Sequence, residues 1–386
     1  NAMTISATGT GTITTATIDA NFTTCTLTVN DSITASAAIG TLNVPAQTTS
    51  FTRAGTGVIT AVTTTGAIPT LTMNGVTGTL TIGGAVTTLN ANYNITSKLD
   101  INARVTTLNI ATGRIIALAE ISAVNANAMT ISAVSTAVIT SVTIDADLTA
   151  CTLTVNDSST TTDAIGTLNI PAQTTSFTTA GTGTITSINT TGAIPTLTLG
   201  GLSRTVTVGG AITTLNANNA ISTKLDINSG VSTLNIATAR TIALMQLGAV
   251  AANAMTITAT GTAVITTATI DADLAACTLT VNDTIPASAA IGTLNVPAQT
   301  ASFTGVGTGT VTTMNLSGAV PIITLGGKVV TFNANADIAT KLDIDGGLST
   351  LNIATGKTIA LAEIGAVTAN IMTDRKSTRL NSSHIP

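Results

Sequence analysis

Residues Thr79 to Ile110 read TLTIGGAVTTLNANYNITSKLDINARVTTLNI. The runs TLTI, TLNA, KLDI and TLNI place an aliphatic residue or alanine at every second position, with Thr, Asn, Lys or Asp between. A period of two is the signature of a half-buried β-strand. Thr, Val and Ile favour strands because branching at Cβ fits a pleated surface. Turn residues such as Gly83-Gly84 punctuate the runs, and Gly209-Gly210 does so again further on. The unit of construction is a strand plus a turn, about 9–10 residues long. No stretch carries helical spacing with caps.

The same text returns at a longer period. NAMTIS at Asn1 recurs as NAMTIS at Asn127 and NAMTIT at Asn253, a spacing of 126 residues. Units one and two are identical at about two-thirds of positions, which marks a repeat architecture. Each holds about twelve strand-turn modules. The third unit returns after 117 residues, nine short, and the gap falls opposite Leu202–Gly210, one strand and one turn. A closed barrel or sandwich depends on its strand number. A solenoid, in which a module contacts mainly its neighbours, absorbs the loss. Removing one module also moves the strands after it onto a different face.

These readings predict an all-β parallel β-solenoid (β-helix) of strand-turn modules, continuous over 1–373. Its units are 1–126, 127–252 and 253–369, and a fourth begins at 370–373. Two or three strands per coil both fit the module length. Three tandem β-sandwich domains are the competing architecture, opposed by the absence of linker-like composition between units. Leu, Ile and Val should ladder inside, and Thr and Asn on the outer faces. Pro45, Pro171 and Pro297, with Pro69, Pro195 and Pro321, belong at strand ends or corners, because proline cannot donate to a ladder. Between units, Val44 exchanges with Ile170, Met73 with Leu199, Leu80 with Val206 and Ile82 with Val208, the swaps a packed core accepts. Arg53 against Thr179 and Tyr93 against Asn219 are chemically larger changes and are assigned to turns.

The tail Asp374 to His384, DRKSTRLNSSH, resembles the translation of a sequencing-library adaptor, so 374–386 is set aside as non-native. It holds the single His, His384. Its three cations and one anion contribute +2, so the formal charge of −4 becomes −6 without it. Charged residues make up 8% of the chain, against roughly 25% in ordinary globular domains. With 44% hydrophobic residues the chain is not disordered in character. No apolar run approaches the ~18 residues of a membrane helix. A mildly acidic body without basic clusters gives nucleic acid no electrostatic hold.

Candidate chemistry is sparse. Cys25, Cys151 and Cys277 fall at one phase, each pointing the way of the Leu two residues on, as buried small hydrophobes. A metal site of one Cys per unit without His is not expected, and no cofactor is implied. The Asp145–Asp147 and Asp271–Asp273 DAD segments, with Asp19 and Asn21, read as turn caps rather than a calcium site. Lys98/Asp100, Lys224/Asp226 and Lys341/Asp343 read as exposed, solubilising, edge-protecting pairs. GTG at Gly55–Gly57 lacks the Lys and helix of a phosphate loop. With no His in the body there is no Ser/His/Asp set. The expectation is a protein that is not an enzyme, with no catalytic, cofactor-binding or metal residues.

The alternating TLTIGG, TLNA, KLDI and TLNI runs resemble bacterial surface adhesins and autotransporter passengers of the filamentous-haemagglutinin kind. That resemblance implies a secreted or cell-surface stalk or adhesin segment, with surface glycans or other cell-surface components as partners. A second resemblance is to ice-binding β-solenoids, carried by Thr24–Thr26, Thr70–Thr72, Thr79–Thr81 and Thr205–Thr207. Asn or Asp at the equivalent position elsewhere breaks that array. A carbohydrate-binding or carbohydrate-active β-helix is the third reading and needs a carboxylate pair on one face.

Overall fold

The structure is a computed structural model. It describes residues 1–19, 21–32, 37–123, 127–144, 148, 150–159, 163–248, 254–270, 274, 276–285 and 288–365, and the backbone of 373–376. Among these residues there is no helix, and hence none long and apolar enough to cross a membrane.

Unit one contributes β1 (Ala2–Ala7), β2 (Ile13–Thr17), β3 (Thr24–Asp31), β4 (Ala37–Val44), β5 (Ser50–Ala54) and β6 (Val58–Thr64). It continues with β7 (Ile68–Met73), β8 (Thr77–Ile82), β9 (Val86–Ala91), β10 (Ile95–Ile101), β11 (Val105–Ile110) and β12 (Ile115–Ile121). Unit two contributes β13 (Ala128–Ala133), β14 (Val138–Ile144), β15 (Ala150–Asp157), β16 (Ile165–Ile170), β17 (Ser176–Ala180) and β18 (Thr184–Thr190). It continues with β19 (Ile194–Leu199), β20 (Leu202–Val208), β21 (Ile212–Ala217), β22 (Ile221–Ile227), β23 (Val231–Ile236) and β24 (Thr241–Leu247). Unit three contributes β25 (Ala254–Ala259), β26 (Val264–Ile270), β27 (Ala276–Asp283), β28 (Ala289–Val296), β29 (Ser302–Val306) and β30 (Thr310–Leu316). It closes with β31 (Val320–Leu325), β32 (Lys328–Ala334), β33 (Ile338–Ile344), β34 (Leu348–Ile353) and β35 (Ala362–Ile364), and β36 (Thr373–Lys376) follows.

The chain forms two compact bodies, Asn1–Arg204 and Thr205–Pro386, with β20 running across the division. In the first body the odd strands β1 to β19 pair in order into one parallel sheet. The even strands β2 to β18 form a second. The second body repeats the scheme, odd strands β21 to β35 in one sheet and even strands β22 to β36 in another. Each strand therefore pairs with the strand two places on, and the coil has two strands. One coil takes from 18 residues (Ile68 to Val86) to 26 (Thr152 to Thr178).

Parallel pairing throughout removes the sandwich alternative, because consecutive antiparallel strands are what build a sandwich. The units are not closed on themselves either: β11 pairs with β13 and β23 with β25, each across a unit boundary.

The core lies between the two sheets. In the first body a methyl on Gly57 would touch Val29 of an odd strand and Ala38 of an even one. In the second, a cavity is walled by Leu279, Phe303 and Leu325 from odd strands and Leu294, Val311 and Met314 from even ones. Val44, Ile170, Met73, Leu199, Leu80, Val206, Ile82 and Val208 are all fully buried, so the aliphatic exchanges between units are core exchanges. Burying one such side chain is worth about 1.5–3 kcal/mol, and the ladders repeat it at each coil. The prolines sit as expected: β4, β16 and β28 end just before Pro45, Pro171 and Pro297. Pro69, Pro195 and Pro321 are the second residues of β7, β19 and β31.

Arg53 corrects one expectation. It lies in β5, not in a turn, and is fully buried on the inward side. Its guanidinium donates to the carbonyl of Gly55 at 2.8 Å, to that of Gly57, and to that of Val76 at 3.4 Å. A methyl on Gly75 would lie 1.0 Å from the Arg53 Nη1, so the glycine leaves room for the cation. Burial pulls the Arg53 pKa below the ordinary guanidinium range to about 10, which still leaves it charged at neutral pH. Unit two fills the position with buried Thr179, whose hydroxyl has no hydrogen-bond partner. Unit three uses Gly305, beside the apolar cavity of about 20 Å³.

The missing module has the predicted consequence, and parity explains it. Units one and two each hold twelve strands, an even number, whereas unit three holds eleven among the described residues. In the second body the KLD strand of unit two, β22, lies in the even sheet, and the KLD strand of unit three, β33, lies in the odd one. The stack stays parallel across the change: β30 pairs with β32 and β31 with β33.

Candidate functional faces

Outward side chains of a parallel stack align with their neighbours coil after coil, so a face is a set of columns. In the first body the odd-strand face carries two central columns. One runs Thr24, Ser50, Thr70, Thr88, Thr107, Thr130. The other runs Thr26, Thr52, Thr72, Asn90, Asn109, Ser132. Their side chains bond along the column where asparagine is present: Asn90 Nδ2 donates to Thr72 Oγ1 at 3.2 Å, and Asn109 Nδ2 to Asn90 Oδ1 at 2.9 Å. No outward position of β1 to β19 on this face is charged.

The even-strand face of the same body holds the charges. Lys98 on β10 pairs with Asp100 at 3.3 Å and also contacts Glu120 on β12, which lies beside Asp100 in register. The Glu120 hydrogen bond is the main reason the Lys98 pKa is raised. Arg204 reaches Asp163 at 2.9 Å. The division by face was hidden in the sequence, because Thr-Leu-Asn and Lys-Leu-Asp alternate along the chain and only a two-strand coil sorts them.

In the second body the even face carries an asparagine ladder of four: Asn315 to Asn295 (2.9 Å), Asn333 to Asn315 (2.7 Å) and Asn352 to Asn333 (2.8 Å). Asn295 in turn donates to Thr269 at 3.3 Å. Stacked amides of this kind satisfy one another as in cross-β assemblies. On the odd face, Lys341 and Asp343 pair at 2.9 Å and Lys341 meets Glu363 at 2.5 Å, so the shifted module brings charge onto a face that is uncharged from β21 to β31. Lys224 pairs with Asp226 at 3.2 Å on the even face. In register with Asp226 stands Gln246, where units one and three have Glu120 and Glu363.

The Lys/Asp pairs are therefore ion pairs within the stack, and Lys98 and Lys341 lie on strands paired on both sides. The edge-protecting role is withdrawn for them. The third member of each triad was missed because Glu120 follows Asp100 by one coil, a spacing that means nothing until coil length is known. Each of these two lysines ties both carboxylates of its triad.

Cys25, Cys151 and Cys277 are buried and free, each in register with a phenylalanine: Phe51, Phe177 and Phe303. Burial raises all three thiol pKa values, to about 11 for Cys151 and Cys277, which makes them poor nucleophiles. Asp19 is exposed, and Asn21 accepts from the Thr48 hydroxyl at 2.9 Å, a turn contact. Asp145–Asp147 and Asp271–Asp273 lie outside the described residues. Tyr93, in the turn after β9, is half exposed under the Arg114 guanidinium, 4.3 Å from its ring centroid. No protein-family model, no curated protein and no solved structure matches the chain.

Proposed function

We propose that the chain is a structural segment, a stalk or adhesive fibre, of a long secreted or cell-surface bacterial protein, and that it does no catalysis. One observation carries the reading. Unit three drops a whole strand-turn module and transposes its later residues to the opposite face, yet pairing continues unbroken. A protein built around one site would lose its geometry by such a transposition; a protein built to extend loses only one strand's length. Surface glycans or other cell-surface components are the proposed partners. Sequencing outward from both ends of the coding DNA tests the reading. An export signal or surface anchor supports it; flanking catalytic domains with neither would sink it.

A second reading, ice binding, is favoured by the uncharged odd face of the first body with its two hydroxyl columns. Thermal hysteresis of the purified chain decides it. Ice shaping that Thr70→Lys and Thr88→Lys abolish supports this reading, and no activity at high concentration ends it.

A further inference from the structure

In unit one the Arg53 cation is held by backbone alone. The carbonyls of Gly55, Gly57 and Val76 accept from its guanidinium, and no carboxylate among the described residues pairs with it. Unit two rebuilds this cradle 126 residues on, with Gly181, Gly183 and Leu202 in the same places. Gly55 and Gly181 share a φ of +98°. A methyl on Gly55 would meet the Val29 carbonyl oxygen at 2.3 Å and Asn30 Oδ1 at 2.8 Å; one on Gly181 would meet the Val155 carbonyl oxygen at 2.2 Å and Asn156 Oδ1 at 2.8 Å. Methyls on Gly57 and Gly183 would meet the Val29 and Val155 side chains at 3.0 and 2.9 Å, and Ala38 and Ala164 both at 3.3 Å. The walls therefore keep their positions although the arginine is gone.

The contents differ. Thr179 stands where unit one has Arg53, and Ser203 where it has Thr77. Both are inward residues of the first body, buried to 0% and 3% exposure, and neither hydroxyl has a hydrogen-bond partner. In unit one the Thr77 hydroxyl reaches the Gly75 carbonyl at 3.3 Å. No other group has closed over the place of the guanidinium. A methyl on Gly75 would lie 1.0 Å from Arg53 Nη1, whereas one on Gly201 would find nothing beyond its chain neighbours nearer than the Ala180 carbonyl oxygen at 3.3 Å. Unit three removes both hydroxyls, with Gly305 and Val329, and its counterpart is the apolar cavity.

We propose that the unit-two cradle is a binding site for a monovalent cation of the sodium and potassium class, held by the carbonyl oxygens of Gly181, Gly183 and Leu202 and the hydroxyl oxygens of Thr179 and Ser203. Uncharged oxygens of this kind replace the hydration shell of a monovalent ion, whereas divalent ions draw on carboxylates. Unit one shows the carbonyls already carrying a single positive charge. The ion also gives the two buried hydroxyl oxygens the partner that burial demands. This proposal stands independently of whether the chain is a stalk or binds ice.

The probe is rubidium chloride in equilibrium dialysis against the full chain, with ionic strength held constant by choline chloride. One rubidium ion should bind per chain at saturation, and potassium or sodium chloride should displace it. Thr179→Val keeps the shape of the residue, removes one ligand and should weaken binding about tenfold or more. Thr179→Arg supplies the tethered cation of unit one and should abolish binding while keeping the strand circular dichroism, because its surroundings match those of Arg53. Exchanging choline for potassium should raise the melting temperature of the wild-type chain and leave that of Thr179→Arg unchanged. Absence of bound rubidium at about 100 mM, well above any Kd that could matter, would overturn the proposal and leave the two hydroxyls to water. So would rubidium binding that Thr179→Val and Thr179→Arg leave unaltered.

Discussion

At the scale of the residue, one inward position is solved three ways: Arg53, Thr179 and Gly305. A charged guanidinium inside a solenoid is costly unless its donors are met; here backbone carbonyls meet both Nη groups while Gly75 vacates the space, and the buried Nε is left without a partner. Because the folded pKa lies below that of a free guanidinium, the folded state disfavours the charged form. That penalty is fully present below about pH 10 and is relieved as pH rises from there toward the ordinary guanidinium pKa. The wild-type chain should therefore gain about 1 kcal/mol of stability relative to Arg53→Thr between pH 9 and pH 11. Urea midpoints of the two proteins at both pH values measure it; a constant difference would contradict the burial of the charge. In unit three, a methyl on Gly305 would sit 3.4 Å from Phe303 and 3.5 Å from Leu325, beside the small cavity. Gly305→Ala should raise stability by about 0.4–1 kcal/mol, seen as a higher melting temperature, and a lower one would mean that the space is not there. The sequence pointed correctly to the aliphatic positions and the cysteines, since period two and the exchanges between units both mark them. Arg53 escaped because charge is ordinarily a surface marker, and the compensating Gly75 is visible only across a coil.

At the scale of the element, the strand-turn module is the unit of exchange. Its boundaries were legible in TLTI, GG and TLNA, because β-branched alternation and turn glycines are local signals. Strands per coil were not legible, because a module of this length fits a two-sided or a three-sided coil, and packing between the sheets decides. Once the coil has two strands, parity follows, and with it the sorting of Thr columns from Lys/Asp/Glu triads. Removing the nine residues 85–93, which contain β9, should leave a folded chain and carry Lys98 and Asp100 to the face of Thr72. Far-ultraviolet circular dichroism should keep its strand signal with a cooperative melt. Removing only residues 85–89 breaks the alternation within the module and should give aggregation. Equal behaviour of the two deletions would contradict a modular stack.

At the scale of the whole molecule, each body is a one-dimensional array in which a coil rests on the coils before and after it. Thr/Asn columns outside and Leu/Ile/Val ladders inside recur from coil to coil. Register is the central claim, and paired cysteines on the outer face test it most directly. Thr107 lies beside Thr88 on one side and Thr130 on the other. Neighbouring strands lie about 4.8 Å apart, within the ~7 Å that a disulfide spans between Cα atoms. On mild oxidation Thr88→Cys/Thr107→Cys should form an intramolecular disulfide, and Thr88→Cys/Thr130→Cys, two coils apart, should not. A bridge in the second pair with none in the first would contradict parallel two-strand coils.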